Sequence, residues 1–243
     1  MSKQYLNNIK ALINKLLFTF SMNSTQTSSS SPSSLLEVWI NPQIIEDINT
    51  FKESFSNAKP YEHISISNFL KEEKAKELEE ALFSLNYEEF NTDLYHFFKS
   101  KDFKSIEELN PTLQEFYTLV FSKEMIELFQ TLTSTSINFN KQGDLHSILL
   151  QQTHYLLCHD DQVDERSIAF IFNLSRDFTQ QDGGALELFD HNDSQEPTIC
   201  SKVIVPSFNQ LNVFKVSPVS FHQISEVESA HKNRLSISGW YYK

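Results

Sequence analysis

From Leu35 onward the hydrophobic and polar positions follow two different periods. Tyr61 to Asn68 alternates apolar and polar residues, which predicts a strand. Ala75, Leu78, Leu82 and Leu85 then recur at helical spacing and predict an amphipathic helix that buries one stripe. Asn110-Pro111 has the chemistry of a helix start, an Asn cap followed by Pro in the first turn, and Leu113, Phe116, Val120 and Phe121 continue the apolar face. The pattern predicts one long helix from there to about Leu132. After Ser136 the period shortens to short β-rich runs: Ser147 to Cys158, Ile168 to Leu174, Ala185 to Phe189, Ile199 to Val205, Leu211 to Val216, Val219 to Ile224 and Leu235 to Tyr241. Gly183-Gly184 falls where a turn is needed, and Pro206 and Pro218 stand between runs rather than inside them. Helices first and a jelly-roll-like β region afterwards make an α+β architecture.

Residues 1–36 read differently. They hold three lysines and no acidic residue, and Leu6, Ile9, Ile13, Leu16, Leu17 and Phe20 fall near one helical face before the Ser-rich stretch Ser28 to Ser34. The expectation is a basic helix and a disordered linker over 1–36, serving as a frayed extension or as a mitochondrial transit peptide, with Met22 as an alternative start. A single domain follows over 37–243, with a helical part at 37–136 and a β core at 137–243. Lys10 and Lys15 interrupt the apolar candidate near the start, so no membrane span is predicted.

Composition narrows the function. The formal charge of the 243 residues is -12, which argues against direct contact with nucleic acid and for a basic protein or peptide partner. Two cysteines, Cys158 and Cys200, are too few for a disulfide framework, and the four glycines form neither a dinucleotide fingerprint nor a phosphate loop.

The pattern His-x-Asp occurs at His159-Asp160-Asp161 and at His191-Asn192-Asp193. The second lies in a turn-forming cluster and reads as a solvated loop. His159 instead ends the apolar run Tyr155-Leu-Leu-Cys158, and residues two apart on extended chain project to one side, so His159 and Asp161 can share a metal while Asp160 points away. His222, in Val-Ser-Phe-His-Gln-Ile, is the candidate third ligand. Two histidines and one carboxylate suit Fe(II) and leave positions open, whereas structural zinc takes a fourth protein ligand. The alternative is that these histidines sit separately in core or surface. Arg234, twelve residues after His222, shares a strand face with Ser236 and Ser238. A guanidinium on a buried face needs an anion, such as a dicarboxylate held by a bidentate pair; on a surface edge it needs only water.

His159-x-Asp161, His222 and Arg234-x-Ser236 together resemble the Fe(II) and 2-oxoglutarate dependent dioxygenases. More narrowly, Leu156-Leu-Cys-His-Asp-Asp161, Arg166-Ser-Ile-Ala-Phe170, Gly183-Gly184, Val216 to Val227 and Arg234-Leu-Ser-Ile-Ser-Gly-Trp240 are similar to the ribosomal prolyl 3-hydroxylases. Ile64 to Phe69 and Thr92 to Tyr95 extend the likeness over about 35–243. The resemblance implies a double-stranded β-helix (jelly roll) with N-terminal packing helices and iron on His159, Asp161 and His222. It places the distal carboxylate of 2-oxoglutarate on Arg234, with Ser236 and Asn173 as further donors. It also implies O2 and ascorbate as cofactors, hydroxylation at C3 of a proline in a small-subunit ribosomal protein, a link to translation, and a cytoplasmic or nuclear location. Two positions depart from the family: Leu150 and Asn173 stand where tyrosines are expected. Competing readings are the same chemistry on another protein, or an interaction module without useful turnover.

Overall fold

The computed structural model describes residues 34–141 and 143–243. The basic helix and Ser-rich linker expected over 1–36 fall almost wholly outside the described residues.

Three short helices open the described chain, α1 (Leu35–Trp39), α2 (Pro42–Glu46) and α3 (Ile48–Asn57). Ser34 and Asn41 cap the first two with side-chain oxygens, as their residue types favour. Strand β1 (His63–Ser67) and helix α4 (Glu72–Leu82) follow the period-two and period-3.6 patterns, with Ala75, Leu78 and Leu82 buried. Next come β2 (Tyr87–Asn91), β3 (Tyr95–Ser100), α5 (Pro111–Val120) and α6 (Lys123–Thr133). The single long helix expected from Pro111 is therefore two, because Ser122 leaves the helical conformation and its hydroxyl caps the N–H of Met125 at 3.2 Å.

The β region holds β4 (Leu145–Leu150), β5 (Tyr155–His159), β6 (Arg166–Leu174), β7 (Leu186–His191), β8 (Pro197–Ile204), β9 (Phe208–Lys215), β10 (His222–Ile224) and β11 (Arg234–Tyr242). The run Ser147 to Cys158 folds as two strands around a turn at 151–154. All pairings are antiparallel, in the order β1-β9-β6-β11-β4-β3-β5-β10-β7-β8, with β2 beside β3, and the sheet curls into a nearly closed jelly roll. The stretch 37–136 is thus less purely helical than its sequence pattern: β1 pairs with β9, and β3 bridges β4 and β5. In β3, Tyr95-His-Phe-Phe-Lys-Ser breaks apolar alternation, so pairing with β4 and β5 decides its conformation.

Two apolar clusters divide the strands by face. Ile168, Phe170, Phe172 and Leu174 of β6, with Leu235, Ile237 and Tyr241 of β11, pack on Trp39, Phe55, Leu78, Phe116 and Phe129 of the helices. Ala169 and Ile171 of β6 face the barrel interior with Leu150, Leu186, Leu188, Phe214 and Ile224. The interior face of β11 carries Arg234, Ser236, Ser238 and Trp240. Tyr241 ties the layers by donating its hydroxyl to the Val120 carbonyl at 2.6 Å, satisfying a free carbonyl at the end of α5.

Gly239, opposite Leu145 and Phe170, is a site of close approach: a Cβ there would lie 2.6 Å from the Asp144 carbonyl and 2.5 Å from Phe170 Cζ. Gly239→Ala is expected to lower stability by about 1–3 kcal/mol through overpacking, read as a shift of the urea midpoint at unchanged m-value. His146 of β4 is buried beside Trp240, and burial pushes its imidazole from 6.5 down to about 3. The unfolded chain takes up this proton below its ordinary value and the folded chain does not, so stability falls as pH drops from 6.5 toward 3. The contribution is at most about 1.4 kcal/mol per pH unit. Urea melts at about pH 7.5 and pH 5 will show this loss, and His146→Gln will reduce it.

Candidate active site

His159 closes β5 and His222 opens β10, and the antiparallel register sets them directly opposite each other. Their ring centroids are 4.2 Å apart. Each holds its Nδ1 2.8 Å from a backbone carbonyl, that of Leu157 for His159 and that of Ser220 for His222. Nδ1–H donation to these carbonyls leaves the Nε2 lone pairs free and fixes both rings. Asp161 lies two residues past the strand with φ 62°, a left-handed conformation that Asp tolerates better than most residues. That turn brings its carboxylate between the rings, Oδ1 3.5 Å from His159 Nε2 and Oδ2 3.5 Å from His222 Nε2. The extended-chain alternation expected over 159–161 is thus replaced by a turn, in which the Asp160 carboxylate accepts from the Gln162 N–H at 3.0 Å.

The ligand atoms of His159, Asp161 and His222 lie within 4.8 Å of one another, and among the described residues no fourth His, Cys, Asp or Glu joins them. Burial by itself raises the Asp161 carboxyl, but the two facing imidazoles outweigh it and hold the group well below the usual carboxylate range. Asp161 is therefore an anion at neutral pH. A buried anion with two imidazole nitrogens on one side fits an octahedral cation with open positions better than a closed zinc site.

Arg234 lines the same cavity. It is 2% exposed, and NH1 donates to Ser236 Oγ at 3.1 Å, while Nε and NH2 have no hydrogen-bond partner among the described residues. Burial lowers the guanidinium only to about 10, so the charge persists at neutral pH. Unpaired guanidinium N–H groups inside a barrel fit a carboxylate, the group that a dicarboxylate co-substrate brings. Gly183-Gly184 makes room for this side: both have positive φ, and a Cβ on Gly184 would stand 3.3 Å from Arg234 Cδ.

Asn173 is buried opposite Ser236, as its β6 position requires, but its Nδ2 donates to Gln210 at 3.0 Å and its Oδ1 has no partner. Leu150 faces Arg234 across β4 and β11 and contributes only apolar wall. Tyr155 sends its hydroxyl to the Thr92 carbonyl at 3.3 Å, so it serves packing. His191 is the exposed last residue of β7 rather than part of the loop, with Nδ1 3.0 Å from the Asn192 carbonyl.

Two site residues were not assigned roles from sequence. Tyr61 is buried against Phe214 and donates its hydroxyl to the Phe221 carbonyl, next to His222. Trp240 lines the cavity and donates its indole N–H to Asp161 Oδ2 at 2.9 Å. The alternation of Arg234, Ser236 and Ser238 reaches Trp240 in one more step, so that signal was present. Tyr61 joins only through the pairing of β1 with β9.

Comparison with known proteins agrees with this geometry. Residues 145–242 match the family model described as 2OG-Fe(II) oxygenase superfamily. The chain is 38% identical over 186 residues to prolyl 3-hydroxylase OGFOD1 of Mus musculus, covering 75% of this chain and 33% of that protein. It is 31% identical over 202 residues to prolyl 3,4-dihydroxylase OGFOD1 of Ostreococcus tauri, covering 78% and 39%. The chain thus spans about a third of the length of the curated relatives it matches. Among solved structures it is similar to a Pseudomonas putida prolyl-4-hydroxylase, with TM-score 0.59, 14% identity and coverage of 81% and 98%. A Trichoplax adhaerens prolyl hydroxylase in complex with a hypoxia inducible factor peptide fragment gives TM-score 0.61, 15% identity and coverage of 82% and 92%. At such identities the structural likeness speaks for the fold. The family match, the sequence relatives and the His-Asp-His cluster beside a buried arginine agree: residues 145–242 form a 2OG-Fe(II) oxygenase domain, of a family that works with Fe(II), 2-oxoglutarate and O2.

Proposed function

We propose that this chain is the catalytic domain of a prolyl 3-hydroxylase acting on a small-subunit ribosomal protein. The observation that carries the oxygenase part is one cavity holding both the His159-Asp161-His222 cluster and the unpaired Arg234 guanidinium. His159, Asp161 and His222 are the metal ligands in this reading. Arg234 holds the distal carboxylate of 2-oxoglutarate, and Ser236 orients the guanidinium. The prolyl specificity is supported by the relatives described as prolyl 3-hydroxylases. The ribosomal target is supported by the motif resemblance, and the formal charge of -12 favours a basic segment. A cytoplasmic or nuclear location follows from that target; residues 1–36 fused to a fluorescent protein test the mitochondrial alternative.

Bound Fe(II) would supply the oxidative chemistry, in which 2-oxoglutarate, O2 and a prolyl C–H give succinate, CO2 and a hydroxyproline. The chain's own work is placement. Fixed Nδ1 contacts keep the imidazoles from rotating, Arg234 sets the depth of the dicarboxylate, and Leu150, Phe214 and Ile224 keep water from the reacting carbon. Since Leu150 carries no hydroxyl and the Asn173 amide is committed to Gln210, Arg234 bears most of the co-substrate recognition.

Purified protein given Fe(II), ascorbate, 2-oxoglutarate and a proline-centred ribosomal peptide is expected to add one oxygen to the peptide and release matching succinate, both absent in His222→Ala. Succinate without peptide oxidation would replace the ribosomal target by another protein. Neither product, with iron bound, would favour the interaction module. Arg234→Lys, which loses the planar fork, is expected to raise KM for 2-oxoglutarate about ten- to a hundredfold, measured by succinate release.

A further inference from the structure

Asp161 lies beyond the end of β5, where no strand ladder fixes it, and yet its carboxylate is held on a second side. The Trp240 indole N–H donates to Oδ2 at 2.9 Å. Trp240 is itself backed by Arg166, whose guanidinium lies over the indole ring 3.8 Å from its centroid. Arg166 in turn reaches toward Asp144, NH2 to Oδ2 at 3.9 Å, and its NH1 stands 3.6 Å from Asp161 Oδ1. Tyr242 donates to Asp144 Oδ2 at 2.7 Å. Asp144 thus steadies Arg166, Arg166 the indole, and the indole the carboxylate.

This matters because of how many positions a carboxylate takes. Bound through one oxygen, Asp161 and two imidazoles leave an octahedral cation three positions, enough for a two-point co-substrate and oxygen. Bound through both oxygens, it leaves one fewer. An indole N–H already engaged with Oδ2 disfavours the second mode. A phenyl ring of similar bulk keeps the wall and the stacking surface but lacks the donor.

We propose that Trp240 is a positioning residue for the metal site, its indole N–H holding Oδ2 so that a divalent cation takes Asp161 through a single oxygen. The inference rests on the reading of His159, Asp161 and His222 as metal ligands. Mn(II), which does not start the reaction, is titrated into metal-free wild type and Trp240→Phe, alongside thermal melts of both proteins without metal. The variant is expected to bind Mn(II) about ten- to a hundredfold more weakly at an unchanged metal-free melting temperature. A second variant replaces the indole at 240 by an isosteric benzothiophene, removing the N–H alone, and is expected to show the same loss. Equal Mn(II) affinity in wild type and either folded variant overturns the proposal, as does a lowered melting temperature with unchanged affinity. Absence of Mn(II) binding by wild type overturns the ligand reading, and the proposal with it.

Discussion

A full positive charge sits inside the barrel at Arg234, and among the described residues one hydroxyl, that of Ser236, is its hydrogen-bond partner. Withdrawing a guanidinium from water costs on the order of several kcal/mol, and no carboxylate among the described residues meets it. The burden falls on packing. Strands β6, β9 and β11 are buried along both faces, so that in the Arg234 strand Leu235, Ile237 and Tyr241 join the aromatic layer under the helices while Arg234, Ser238 and Trp240 line the cavity. The helices α1 to α6 are needed for this reason: without their layer of Trp39, Phe55, Phe116 and Phe129, the outward face of β11 would be wet and its inward charge would lie a single strand from water.

The same cavity holds the opposite charge. Asp161 stays ionised because two imidazoles face it, and the imidazoles keep their orientation because backbone carbonyls hold their far nitrogens. Anion and histidines offer a place for a cation, and Arg234 offers a place for an anion. A molecule that chelates a metal at one end and presents a carboxylate at the other satisfies both, and 2-oxoglutarate has that form. The polar interior therefore has the charges to take a cation and a dicarboxylate side by side.

Leu150 and Asn173, the two positions at which the motif resemblance implies tyrosine, have a structural consequence. Leu150 adds apolar wall, and Asn173 enters an amide cluster with Gln210 and Asn212, where Asn212 Nδ2 donates to Gln210 Oε1 at 3.4 Å. In the proposed reading, co-substrate recognition then concentrates on the Arg234 guanidinium, with little to compensate its substitution.

Much of this was legible in the residues themselves. Alternation along Arg234-Leu-Ser-Ile-Ser-Gly-Trp240 assigns its two faces, because successive side chains of a strand point oppositely. The spacing of His159 and Asp161 is local too, although Asp161 reaches the site by a left-handed turn past β5 and not by the extended-chain alternation that the spacing suggested. What the chain alone could not decide is everything set by register: that β10 places His222 across from His159, that β1 brings Tyr61 beside Phe221, and that Asn173 meets Gln210 before it can meet a ligand. The break at Ser122 and the strands β2 and β3 belong with these, since a capping hydroxyl and a mixed apolar segment are ambiguous until neighbours choose. Sequence determines what each residue can do within a few positions of itself; contacts between residues 60 or 160 positions apart exist only once the sheet has closed.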